Sequence, residues 1–207
     1  MKTLLTSSRS TRILPVISAV SAPWPSAAVL GAAVLLVTGG PAAAQDKQAL
    51  IASALSAAPP MVAQAATVKD HKGNVLKEGG GEFTCFPREG AGQSPMCIDE
   101  AWAGWLDAYM NKKPFTASEA GVSYMLAGDA PDGGASNIDP YAKEPTPDNQ
   151  WIVEGPHVMI LVPDAALLEA FPAESGSGDP YVMWKGTPYA HVMVPTGARP
   201  EQRAMAQ

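Results

Sequence analysis

The order of residues in the first 44 positions decides which part of this chain is left to fold. Lys2, Arg9 and Arg12 stand there without a single acidic residue. An apolar run follows at 27–37 (AAVLGAAVLLV), then Gly39-Gly40-Pro41 and the small-residue stretch Ala42-Ala43-Ala44 before Gln45. A positive start, a short apolar core and a small-x-small site is the arrangement a signal peptidase reads. Cleavage is expected between Ala44 and Gln45, so that 1–44 is a signal peptide. The apolar run, about 11 residues, is too short for the roughly 20 that a membrane-crossing helix needs. No Cys stands at the cleavage site for a lipid anchor, and Arg9 and Arg12 are not adjacent as a twin-arginine signal requires. The sequence therefore predicts a periplasmic or secreted protein with no transmembrane span in its mature form.

The 163 residues that remain are the size of one domain and can bury a real core. All 20 acidic residues lie in them, against 11 of the 14 basic ones, a net charge near −9. A chain so acidic, with no basic cluster, repels phosphate backbones, which argues against nucleic acid or an anionic membrane surface as partner. The only two cysteines, Cys85 and Cys97, both survive cleavage. In an oxidising compartment a pair at that spacing reads as a structural disulfide, whereas redox and metal pairs favour the closer C-x-x-C spacing. The turn-rich segment between them cannot order itself, and closing it would stabilise the fold by roughly 3 kcal/mol.

Hydrophobic periodicity gives a mixed pattern of short elements. A short helix is expected at 47–57, ended by Pro59-Pro60, and a hairpin between Val68 and Val75-Leu76 around Gly73-Asn74. A third strand is expected at 82–86. Asp99 is suited to cap a helix carrying Trp102, Trp105, Leu106, Tyr109 and Met110 at helical spacing, a stripe that reads as core. Further strands are expected at 122–127, 151–153, 157–162, 181–184 and 189–194, with a short helix at 165–171. Residues 128–150 read as a long loop, and connections of that length are often functional. The order points to an α+β fold: a single small domain over 45–195 with a mostly antiparallel sheet, two or three helices and one disulfide-closed loop, then a flexible C-terminal tail over 196–207.

The run from Gly121 to Pro195 (GVSYMLAGD…SNIDPYA…GPHVMILVPD…PYVMWKGTPYAHVMVP) resembles a family of secreted bacterial proteins of unknown function. The similarity takes in Ile51 and the two-cysteine loop as well. It implies export and a single domain, and it implies no activity.

One motif carries chemistry. His157-Val158-Met159 and His191-Val192-Met193 are the same three residues on two expected strands. Alternation puts each His and its Met on one face. If the strands are neighbours in matching register, two imidazoles and two thioethers converge, a soft set suited to Cu(I) and unsuited to Mg²⁺ or Ca²⁺. Met183 and Trp184 could shield such an ion. The competing reading is packing, since Met commonly fills gaps between apolar strands.

Two further readings stay open. A His-dependent enzyme would use His157 or His191 as general base, with Asp129, Asp132, Ser136, Asn137 or Asp139 from the long loop. The chain has no G-x-S-x-G elbow, H-E-x-x-H motif, phosphate-cradling Gly loop or EF-hand spacing, and His71 reads as solvated in a turn. The general expectation is a non-catalytic domain that binds a small molecule or an envelope protein, with the long loop and Trp151 over the sheet as its recognition surface.

Overall fold

The computed structural model describes residues 41–176 and 178–200. An N-terminal helix, α1 (Pro41–Leu55), is followed by α2 (Pro60–Ala65). Three short strands follow: β1 (Thr67–Lys69), β2 (Val75–Lys77) and β3 (Thr84–Phe86). Then come β4 (Met96–Ile98), α3 (Glu100–Met110), β5 (Gly121–Met125), β6 (Ala135–Ser136) and β7 (Trp151–Ile152). The chain continues through β8 (His157–Leu161), α4 (Ala165–Leu168), β9 (Tyr181–Met183) and β10 (His191–Pro195). Eight strands form one sheet in the order β2-β1-β3-β4-β5-β8-β10-β9, while β6 and β7 pair separately. Every pairing is antiparallel except β1 with β3.

The sheet separates two apolar clusters. Under β1–β4, Ala54 and Ala57 close against Val68 and the Cys85–Cys97 disulfide. The two cysteines face each other directly across β3 and β4. Beneath the central strands a larger cluster gathers Trp102 and Trp105 of α3 with Met159, Leu161, Met183, Trp184 and Met193.

Helix α3 is positioned by Asp99. Its carboxylate accepts the Trp102 N–H at 2.9 Å as an N-cap and the Val122 N–H of β5 at 2.5 Å. At Gly121 of β5 a Cβ would stand 2.8 Å from the Ala101 Cβ and 3.1 Å from the Trp102 ring, so only glycine lets helix and strand approach this closely.

The described residues hold four helices rather than two or three. Pro60 does not merely end α1; it opens α2 as a first-turn residue, where the missing N–H costs nothing. The disulfide-closed segment, expected without regular structure, leads at its end into β4, which begins at Met96, and the 128–150 loop contains β6. In the polar stretch past Pro195, the Thr196 N–H donates to the Pro156 carbonyl at 2.7 Å and Arg199 pairs with Glu154.

Candidate functional site

The central strands share one face because of their register. On β8 and β10, Met159 lies opposite Met193 and His157 opposite Pro195. Met125 of β5 lies opposite His157, and Met183 of β9 lies opposite His191. Alternation then turns His157, Met159, His191, Met193, Met125 and Met183 to the same side. With Met96 of β4 they line a cavity of about 330 Å³, which α3 and Trp184 cover with Trp102, Trp105 and Tyr109. Five of the nine methionines of the chain therefore meet in one space.

The two His-x-Met strands are neighbours, but their register brings the two methionines together and sets the two imidazoles apart, so the four donors expected at one point do not converge. The antiparallel register centres them on the Met159–Met193 pair, with one imidazole two residues to either side. The surroundings repeat about that centre. His157 faces Met125 while Met159 faces Ser123; His191 faces Met183 while Met193 faces Tyr181. A local two-fold thus relates β5 and β8 to β9 and β10.

Both rings are held in the same way. The Nδ1 of His157 bonds the Gly155 carbonyl at 2.7 Å, and the Nδ1 of His191 bonds the Tyr189 carbonyl at 2.9 Å, in each case two residues upstream. A carbonyl only accepts, so Nδ1 is the donor and, in the neutral ring, Nε2 carries the bare lone pair. Backbone anchoring of this kind fixes a metal-ligating imidazole by its far nitrogen. Neither Nε2 has a hydrogen-bond partner among the described residues, and that of His191 is fully buried. Both side chains are almost wholly enclosed, at 2 % and 1 % exposure. Burial drives the pKa of His191 down to about 4, with the His157 charge adding to the effect against the opposing Tyr189 carbonyl.

Three indoles surround His191. The centroids of Trp102, Trp105 and Trp184 lie 5.3, 5.6 and 5.3 Å from it, each ring near perpendicular to the imidazole. Trp184 reaches this position from a left-handed backbone, φ 56°, which a large side chain adopts only when its surroundings hold it. Its indole N–H donates to the Ser136 carbonyl at 2.6 Å, and its main-chain N–H donates to the Asn137 carbonyl at 2.8 Å. The Trp105 indole N–H donates to the Tyr189 carbonyl that anchors His191.

The cavity end beside His157 is polar. Asp129 and Glu154 both line it. Burial raises the pKa of Asp129, partly offset by the His157 charge and by the Glu154 N–H it accepts at 2.7 Å. Burial also acts to raise Glu154, but the two-pronged bond from Arg199, at 3.1 and 2.8 Å, outweighs it. With the Gly155 N–H and the Tyr181 hydroxyl also donating, the Glu154 pKa falls below the usual range.

The remaining residues singled out in the sequence lie apart from this arrangement. Asp132 pairs with Arg88 at 2.7 Å on the surface. Ser136 donates to the Asn149 carbonyl, Asn137 donates to the Ala173 carbonyl, and Asp139 accepts the Tyr141 N–H. None of these, and no carboxylate or hydroxyl among the described residues, lies within hydrogen-bond distance of His157 or His191. Each imidazole is bonded to backbone alone. His71 is exposed, yet its Nε2 bonds the Pro87 carbonyl and its ring stacks on Phe86. Trp151 donates to the Gly133 carbonyl and does not line the cavity, whereas Asp129, Gly134 and Ala135 of the long loop do.

Met96, Met125 and Glu154 join the site without having been singled out. A signal for Met125 existed: β5, β8, β9 and β10 each carry a polar-x-Met triplet, Ser123-Tyr124-Met125, His157-Val158-Met159, Tyr181-Val182-Met183 and His191-Val192-Met193. Among the described residues no three His, Cys, Asp or Glu gather as a metal cluster. Comparison with family models, curated proteins and solved structures returns no match.

Proposed function

We propose that this chain is an exported binding protein whose cavity takes a soft monovalent metal ion, Cu(I). The observation that carries this is the pair of backbone-anchored imidazoles whose unpartnered Nε2 atoms stand in a cavity lined by five thioethers. Imidazole and thioether donors are neutral and soft, which suits Cu(I) and not Mg²⁺ or Ca²⁺. Burying an uncompensated charge grows costlier with the square of that charge, so a mostly neutral donor set favours a monovalent ion. The indoles around His191 present faces and edges that shield such a cation from water.

Ag(I), a redox-inert analogue of Cu(I), tests this by its effect on melting temperature. The chain has only two cysteines and both are in the disulfide, so no thiolate competes for the ion. At a hundredfold excess over the dissociation constant, binding to the folded state adds about 2.7 kcal/mol, a rise of several degrees. The rise should vanish in the His157→Ala/His191→Ala double variant. An equal rise in both proteins, or none in either, overturns the reading.

The cavity volume favours a second reading, because about 330 Å³ is also the lower end of small-molecule pockets. A small apolar guest such as indole would then stabilise the double variant as much as the unsubstituted protein, without help from the imidazoles.

The export proposal rests on the leader-like residues 1–44 and is supported by the disulfide, which persists in oxidising compartments. Among the described residues no helix is long and apolar enough to cross a membrane. The expected cut before Gln45 falls in the first turn of α1. Intact mass of protein from its native host should match a chain starting at Gln45; a retained amino terminus would remove this part of the proposal.

A further inference from the structure

We propose that the cavity holds two monovalent ions, one at each imidazole, on either side of the Met159–Met193 pair. This rests on the soft-metal reading above and adds the number and placement of the ions.

Register supplies the first argument. His157 and His191 lie two residues to opposite sides of the paired methionines, so four residues of strand separate them along the sheet. At about 3.3 Å per residue their Cα atoms stand roughly 13 Å apart along the strand axis. Metal–imidazole bonds are only about 2 Å long, so one ion does not serve both rings with their Nδ1 atoms tied to backbone at opposite ends of the strand pair.

Duplication supplies the second. Each imidazole has its own thioether directly across the sheet on an outer strand, Met125 for His157 and Met183 for His191. Each also has a thioether two residues on in its own strand, Met159 or Met193, on the same face. Every half therefore holds one bare Nε2 and two thioethers, a complete soft donor set without borrowing from the other half.

Space supplies the third. A cavity of about 330 Å³ would hold roughly ten waters at about 30 Å³ each, far more than one ion needs. Thioether arms with three rotatable bonds can close around two ions within it. Two cations held in one cavity repel each other through its low-dielectric surroundings. Filling one should weaken the other, giving two separated affinities.

Equilibrium dialysis of the full chain against Ag(I), with native mass spectrometry of the same samples, reads the count. Two ions per chain are expected for the unsubstituted protein, one for His157→Ala, one for His191→Ala and none for the double variant. Met125→Leu and Met183→Leu keep side-chain volume while removing a thioether. Each should weaken one of the two affinities by about 10–100-fold or more, the loss that outer-shell ligand changes already cause. These two variants carry the test if truncating a buried imidazole unfolds the chain. A single ion abolished by either His substitution overturns the two-ion arrangement and leaves the soft-metal reading standing. No retained Ag(I) at all overturns both. The exposed Met61 and Met110 are present in every variant, so weak binding there cancels in the comparison.

Discussion

At His191 the imidazole faces three indoles and one carbonyl, so protonation would place a cation where water cannot solvate it. Its pKa of about 4 lies below the ordinary 6.5. Between those values the unfolded chain binds a proton that the folded chain refuses. The neutral ring's contribution to stability is therefore full above pH 6.5 and is lost as pH falls through 4, on the order of 3 kcal/mol in all. Asp129, with its pKa raised by burial, acts in the opposite direction, so the informative quantity is a difference between proteins. Urea unfolding at pH 7 and pH 4.5 should show a larger loss for the unsubstituted protein than for His191→Leu, whose Tyr189 carbonyl keeps its bond from Trp105. Equal losses would show that His191 takes up protons freely in the folded state. The two His-x-Met triplets were legible as a motif because alternation on a strand is a local rule. Met96 and Glu154 were not, because what brings them to the cavity is pairing and loop closure between segments far apart in sequence.

At the scale of elements, Asp99 does two things with one carboxylate: it caps α3 and ties the start of β5. Asp99→Ala should cost on the order of 2 kcal/mol, combining a lost cap with an unsatisfied Val122 N–H. It should also weaken Ag(I) binding, since α3 carries the aromatic cover of the cavity. Asp99→Asn, which can still accept at the cap, should lose less of both in the same urea and dialysis measurements. Equal losses for the two variants would mean that the cap does not hold the helix in place. Asp99 and the Trp-rich stripe made α3 readable from sequence, because capping and 3.6-residue periodicity are written locally. Helix α2 was hidden by Pro60, which reads as a stop after one helix and serves as the start of another. Strand β4 was hidden because Met96-Cys97-Ile98 is too short for periodicity, and only its pairing with β3 and β5 defines it. The parallel neighbour of β1 was out of reach for the same reason: strand order is a long-range property.

Across the whole molecule the sheet keeps two kinds of residue apart. The cysteines and α1 close one cluster against β1–β4, while the imidazoles and the five thioethers, Met96 of β4 among them, occupy another on the other face. Replacing Cys85 and Cys97 together by serine should lower stability by roughly 3 kcal/mol on the chain-entropy estimate. Where the variant remains folded, it should leave Ag(I) affinity unchanged. A change in affinity would show that the two ends of the sheet communicate. The mostly antiparallel α+β architecture was legible from the many short strands and turn residues, whereas the meeting of its central strands around one cavity required the register. That meeting has an optical consequence. Three of the four tryptophans beyond the leader crowd His191, and none of the described aromatic contacts involves His157. A heavy ion arriving at the first ring should darken the protein's intrinsic emission, while one arriving at the second should leave it bright. The molecule carries its own lamp at one end, and the sequence of filling can be watched without any label.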